Sequence, residues 1–160
     1  MAVAPMTTDY IVSSLPALEF GSPAPISAEA FAELAGDAAK RALLPWRDLE
    51  TQLRNALAEA RGGGAKFRRA AEGCSVYWKK RVLDCFAEKD VAKRDEMLDH
   101  VWWDAAGELV TPSDPLGPGA LAAYAVRLQI ALRRSKISKE AGGAAFDAVV
   151  AGAKPSFSNS

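Results

Sequence analysis

The stretch that decides the fold is G-A-L-A-A-Y-A-V-R-L-Q-I-A-L at residues 119–132, directly after a Pro/Gly-rich break. Only Arg127 and Gln129 interrupt its apolar run. A helix that is apolar on two sides is normally covered on two sides, so we predict that this one lies at the centre of a helical core. At about 100° per residue, its first face carries Leu121, Tyr124, Ala125, Leu128 and Leu132, and its second face carries Val126 and Ile130.

Most of the remaining chain also has the helical period, and strand-like runs are nearly absent. The 160 residues therefore predict a single all-α domain, a bundle of five to six helices with an irregular N-terminal segment around Pro16. We expect an ordered core over about residues 10–152, with a frayed N-terminus and a frayed tail from Lys154. The other predicted helices start after the N-cap Ser27, near Pro45, at residues 75–87 and 93–110, and after the N-cap Ser138.

The helix near Pro45 carries a narrow apolar stripe that includes Leu53, on an otherwise polar surface. We predict that it lies at the periphery and is covered on one side only.

Charge is balanced overall, with 20 basic and 20 acidic residues, but it is segregated along the chain. Residues 45–81 contain nine basic and four acidic residues, whereas residues 82–108 contain three and eight. A solvated surface is the simplest explanation, and a docking surface for a charged partner is the alternative. The first candidates for partner binding are Lys79, Lys80 and Arg81, which show no evident internal need for so much charge, followed by Arg68 and Arg69.

Two further side chains are candidate partner contacts. Trp103 lies away from the apolar face of its helix, so it either anchors a partner or packs on its own chain. Arg127 shares a face with Ala120, Ala123, Ala131 and Arg134, and these small residues either admit another helix or face water.

No catalytic signature is present, and the sequence predicts a protein that is not an enzyme. The single histidine, His100, has no cluster of metal ligands around it, and Cys74 and Cys85 are expected to be buried free thiols. The Gly-rich residues 62–64 lack the flanking residues of a phosphate loop. We therefore expect no catalytic residue, metal, cofactor or small-molecule substrate.

The location predicted from the sequence is cytoplasmic, without direct membrane insertion. The first nine residues lack the features of a signal peptide, and the central apolar helix is shorter than the roughly 20 residues that a membrane span needs.

Four motifs follow one another along the chain: Y-I-V-S-S-L-P-A-L at 10–18, P-I-S-A-E-A-F at 25–31, M-L-D-H-V-W-W-D at 97–104 and L-A-A-Y-A-V-R-L-Q-I at 121–130. Together they resemble a bacterial family of unknown function whose genes commonly lie within V-type (A/V-type) ATPase operons. The similarity covers most of residues 10–150 and implies no catalytic residues.

A weaker resemblance links the L-D-H-V-W-W-D helix, the loop and the Y-A-V-R-L-Q-I helix to the repeated unit of the V-type ATPase C subunit (subunit d in eukaryotes). That subunit is an all-helical funnel between the membrane rotor ring and the central stalk. The present chain is shorter and shows no threefold repeat, so the resemblance implies a reduced counterpart. We expect a non-catalytic component or assembly factor that binds a stalk or rotor subunit. The alternative is an RNA-associated helical module that uses residues 45–81, and an uncharacterised enzyme ranks third.

Overall fold

The computed structural model describes residues 6–64, 66 and 68–158, with side chains described only through Ser138. Over these residues the chain forms helices and no strand, apart from an isolated bridge between Thr111 and Asp114. The prediction of an all-α bundle is confirmed. The elements are α1 (Thr8–Ser14), α2 (Ala28–Ala42), α3 (Trp46–Ala60), α4 (Val76–Cys85), α5 (Val91–Ala106), a 3₁₀ turn (Gly107–Leu109) and α6 (Pro118–Ser158).

Side-chain caps start four of these helices. Ser27 accepts a hydrogen bond from the Ala30 N–H, as its predicted role as an N-cap requires. Thr7, Ser75 and Asp90 cap α1, α4 and α5 in the same way. The short helix α1 ends before Pro16, and irregular chain follows it as far as α2.

The helix α6 is buried on two sides, as its apolar pattern predicts. On one side Leu121, Ala122 and Ala125 pack with residues of α1 and α2, such as Ile11 and Ala39. The opposite side belongs to a second cluster with residues of α3, α4 and α5, and it contributes Ala123, Val126, Ile130 and Ala131. The central position of this helix is therefore confirmed.

The predicted helix boundary at Ser138 is wrong, because α6 continues without a break to Ser158. Residues 133–138 contain neither proline nor glycine, so nothing in them forces the backbone out of the helix. The helix also runs through Lys154, from which the sequence predicts a frayed tail. The expected apolar contacts of Phe146, Val149 and Val150 lie outside the described side chains.

In α3 the predicted apolar stripe is the buried face, and Leu53 on it is fully buried, since α3 packs on α4 and also reaches α5. The face of α5 differs from the predicted one, because this helix has neighbours on more than one side. The helical period places Met97 on the apolar face of α5, but its side chain is 41% exposed. Trp103, which was expected off that face, is only 8% exposed, since α5 lies between α4 and α6.

The burial of Leu128 and Leu53 predicts similar losses on truncation. Leu128→Ala and Leu53→Ala should each lower the free energy of unfolding by about 2–5 kcal/mol, because each leaves a cavity in a packed interior. Denaturant titration of both variants measures this. A loss of less than about 0.5 kcal/mol for Leu53→Ala would restore the peripheral position that the sequence alone predicts for α3.

Two glycines in α-helices should respond oppositely to alanine. A Cβ on Gly119 would lie 1.8 Å from the Leu109 carbonyl oxygen, so Gly119→Ala should destabilise the fold by about 1–3 kcal/mol or more. Gly36 lies inside α2, where a Cβ would make only an ordinary van der Waals contact with the Ala32 Cβ at 3.9 Å, so Gly36→Ala should stabilise by about 0.5–1 kcal/mol. Thermal unfolding of the two variants tests the contrast, and equal shifts would contradict the close approach of α6 to the 3₁₀ turn.

Candidate partner-binding surface

A row of polar side chains on α3 holds the basic loop that follows it. Asp48 accepts hydrogen bonds from the backbone N–H groups of Glu72 and Gly73. One turn further along, the Gln52 Oε1 accepts from the Ser75 N–H at 2.8 Å. These contacts, and those of Asn55, fix the path of the loop.

The far end of the row pairs with the backbone of Arg69. The Asn55 Nδ2 donates to the Arg69 carbonyl at 2.7 Å, and its Oδ1 accepts from the Arg69 N–H at 2.9 Å. Gly73 permits the close approach at the other end, because a Cβ there would lie 2.6 Å from the Gln52 Nε2. The loop that carries Arg68 and Arg69 is thus attached to α3 at three points.

The three first candidates all have acidic partners within the chain, so the prediction that their charge lacks an internal role is wrong. The Lys79 Nζ lies 3.2 Å from a Glu59 carboxylate oxygen, which also lies 3.9 Å from the Arg68 Nη2. Lys80 pairs with Asp84 at 2.7 Å, and Arg81 pairs with Asp104 at 3.1 Å. Over the described part of the chain, the Arg69 side chain is exposed and makes no ion pair.

Arg81 is the most constrained of these cations. Its guanidinium carbon lies 5.6 Å from the centre of the Trp78 ring, and the Tyr77 hydroxyl accepts a hydrogen bond from its Nη1. Burial acts to lower the pKa of Arg81, but the hydrogen bonds and charges of Tyr77 and Asp104 outweigh it, and the net shift is upward. Arg81 therefore stays charged and joins α4 to α5.

The two remaining candidates, Trp103 and Arg127, contact each other and other parts of their own chain. The Phe20 ring meets Trp103 edge to face at a centroid distance of 5.4 Å. The Arg127 guanidinium lies over the Trp103 ring, 5.3 Å from its centre. The Arg127 Nε also donates a hydrogen bond to the Trp103 carbonyl at 3.0 Å. Trp103 thus packs on its own chain, which was the alternative to a partner anchor.

The sequence did not indicate an open groove between α3, α5 and α6, with a volume of about 550 Å³. The sequence does not distinguish its apolar residues from core positions, because a half-buried side chain at a groove and a buried one in the core follow the same helical period. The apolar lining consists of Trp46, Leu57, Leu98, Trp102, Val126 and Ile130.

Charged side chains of both signs border this groove. Arg54 pairs with Glu50 at 2.9 Å, and Arg133 pairs with the buried Asp99. Arg61, at the end of α3, and Asp95, on α5, border the groove without an ion pair to any described residue. These two charges are available to a partner.

The side chains that could take part in chemistry, His100 and the two cysteines, show no arrangement typical of a reactive site among the described residues. The His100 ring stacks on Phe20 at 4.5 Å, and its Nε2 lies 3.7 Å from an Asp104 oxygen. Burial raises the pKa of the Cys85 thiol, so this thiol stays protonated at neutral pH. Cys74 is exposed, so the prediction that it is buried is wrong. Among the residues described, no three potential metal ligands lie together.

Comparison with known proteins gave no match to a family model, to a curated protein or to a solved structure. Of the helices in the described ranges, none has both the length and the apolar character required to cross a membrane.

The attachment of the loop to α3 should weaken when the pH becomes acidic. Hydrogen bonds from the Glu72 N–H, the Gln52 amide and the Gly73 N–H lower the pKa of Asp48 from 3.8. A lowered folded-state pKa means that the carboxylate stabilises the attached loop above pH 3.8, and that this contribution is lost as pH falls through the folded-state value. Amide hydrogen-exchange protection of Glu72 and Gly73 should therefore decrease over that range.

The Asp48→Asn variant provides the control for this titration. It removes the ionisable group while keeping one acceptor oxygen, so its loop protection should be lower at neutral pH and nearly independent of acid pH. An unchanged pH profile in this variant would assign the titration to another group.

Proposed function

We propose that this chain is a non-catalytic component or assembly factor of a V-type ATPase, and that it binds a central-stalk or rotor subunit. It would act in the cytoplasm, at the inner face of the membrane when bound to the ATPase, without entering the bilayer. The four motifs that resemble the ATPase-operon family support this proposal. Two of them lie in α5 and α6, a third covers most of α1 and the chain that follows it, and the fourth covers the start of α2.

The groove between α3, α5 and α6 is the observation that carries the binding role. It exposes part of Leu57 and Trp102 above the buried Leu98 and Ile130. A groove between helices that is partly lined by apolar side chains suits the apolar face of a further helix, which is one of the common modes of peptide and subunit recognition. We therefore propose a helix of the ATPase subunit as the occupant.

The charges at the border define the chemistry of that helix. Arg61 is on the α3 side and Asp95 is on the α5 side, and neither is neutralised by a described residue. A complementary helix has an acidic edge toward α3 and a basic edge toward α5, which fixes its direction and register. Lys79, Lys80 and Arg81 play a smaller role in this proposal, because a partner carboxylate would have to replace Glu59, Asp84 or Asp104.

The arrangement of the aromatic and basic side chains gives little support to the alternative that the protein binds RNA. Trp78 is only 4% exposed, so it offers no face on which a base can stack. The adjacent basic side chains Lys79 and Arg81 are paired with carboxylates. Among the described residues, Tyr77 is the exposed aromatic side chain beside these charges, and it supports a nucleic-acid surface.

Affinity purification from native membranes tests the proposal. The tagged protein should retain ATPase stalk or rotor subunits. The double variant Arg61→Glu, Asp95→Arg should retain at least about tenfold less, since both charges at the border then oppose the partner. Its net charge equals that of the wild type, so a non-specific electrostatic change is avoided.

A matched control is Arg47→Glu combined with Glu33→Arg, two exposed positions away from the groove with the same charge exchange. This variant should retain the subunits within about twofold, because isolated surface charges contribute little. Equal losses in both variants would refute the groove as the binding site. Nuclease-sensitive RNA without any ATPase subunit in the purified sample would establish the alternative function.

A further inference from the structure

A second cavity, of about 300 Å³, lies between α6 and the irregular chain that follows α1. Most of its lining is aliphatic, and the only cation in its lining is Arg127. Ala120 and Ala123 make room for the cavity on the α6 side, and the carbonyl of Pro16 is held by the Tyr124 hydroxyl at 2.8 Å. The remaining walls come from Val12, Leu15, Ala17, Leu18, Val110 and Pro115.

The Arg127 guanidinium is partly desolvated and has no anionic partner in contact among the described residues. Its only hydrogen bond with a described residue uses Nε, which leaves Nη1 and Nη2 without an acceptor. By contrast, the other arginines along α6, Arg133 and Arg134, both pair with Asp99. Burial lowers the pKa of Arg127, and the more distant charge of Asp104 opposes that shift.

Two neighbours fix the position of this guanidinium. The Trp103 ring lies under it, and the Trp103 carbonyl accepts from its Nε. Gly107 provides space at its edge, because a Cβ there would lie 2.9 Å from Nη2. A guanidinium held in this way has already lost most of its side-chain freedom, and two parallel donors remain for one planar anion.

We propose that this cavity binds a carboxylate attached to a short apolar group. The two Nη atoms of Arg127 would donate to its oxygens, and the aliphatic walls would enclose the apolar part. One cation among aliphatic walls favours a singly charged, planar anion over a phosphate, which needs more donors. The same chemistry is found in a free short-chain carboxylic acid and in the C-terminal residue of a peptide. This site is independent of the groove and of the ATPase proposal.

Methyl NMR of the whole chain tests the proposal with hexanoate as the probe. Hexanoate should shift the methyl signals of Val12, Leu15 and Leu18 in a saturable way, and hexan-1-ol should bind at least about tenfold more weakly because it lacks the charge-assisted hydrogen bonds. N-acetyl-leucine separates the two sources. Tighter binding of N-acetyl-leucine than of hexanoate points to a peptide C-terminus, and the reverse order points to a free acid.

Three variants separate a specific site from general attraction. Arg127→Gln should abolish the preference for hexanoate over hexan-1-ol. Gly107→Ala keeps every wall residue and the charge but displaces Nη2, so it should weaken hexanoate binding several-fold and leave hexan-1-ol unaffected. Arg47→Gln removes an exposed charge elsewhere and should change nothing.

Several results would overturn the proposal without relying on a variant that fails to fold. Equal affinity of wild-type protein for hexanoate and hexan-1-ol would show a purely apolar cavity. Hexanoate shifts that remain unsaturated at its solubility limit, or that are unchanged in both Arg127→Gln and Gly107→Ala, would show that Arg127 only packs against Trp103.

Discussion

Leu121 and Val126 lie on opposite sides of α6, and different groups of helices enclose them. Burying each such side chain contributes about 1.5–3 kcal/mol, so both sides of α6 require a cover. The first cover is α2 with α1, and the second is α5, with α4 packed behind it. The helix α3 then packs mainly on α4 and reaches α5 less extensively. Because α3 does not pack closely against α6, a gap remains between the two helices. This gap is the proposed binding groove.

The third side of α6 is covered by irregular chain, and this explains the second cavity. Small residues at Ala120 and Ala123 allow the chain to approach, and it is attached at separated points. The Tyr124 hydroxyl donates to the Pro16 carbonyl, and Arg134 lies 5.0 Å from the centre of the Phe20 ring. Irregular chain lacks the regular ridges with which a helix fills the grooves of its neighbour. Space is therefore left between the attachment points, and Arg127 lines it without an ion pair to any residue that the structure describes.

Local patterns predicted those features that depend on neighbours in the sequence. The cap at Ser27 and the two buried faces of α6 both follow from spacings of a few residues. Features that depend on the number of neighbouring helices were not predictable in this way. Trp103 is buried because α5 lies between α4 and α6, and the period of one helix does not reveal a second neighbour. The groove was not predicted for the opposite reason. No described helix covers Trp102 there, yet Trp102 follows the same helical period in the sequence as a core residue does.

The segregation of charge along the sequence has a different meaning in three dimensions. Arg81 of the basic segment pairs with Asp104 of the acidic one, and Lys79 pairs with Glu59, so these ion pairs join α4 to α5 and to α3. Each exposed pair contributes only about 0–1 kcal/mol, but a partner carboxylate gains nothing until it displaces the internal one. Recognition therefore favours charges without such a competitor, and Arg61 and Asp95 meet that condition beside an apolar groove. The dense positive charge of Lys79 to Arg81, which is prominent in the sequence, mostly forms ion pairs that orient the helices. The fewer charges at the groove are therefore better placed to select a partner.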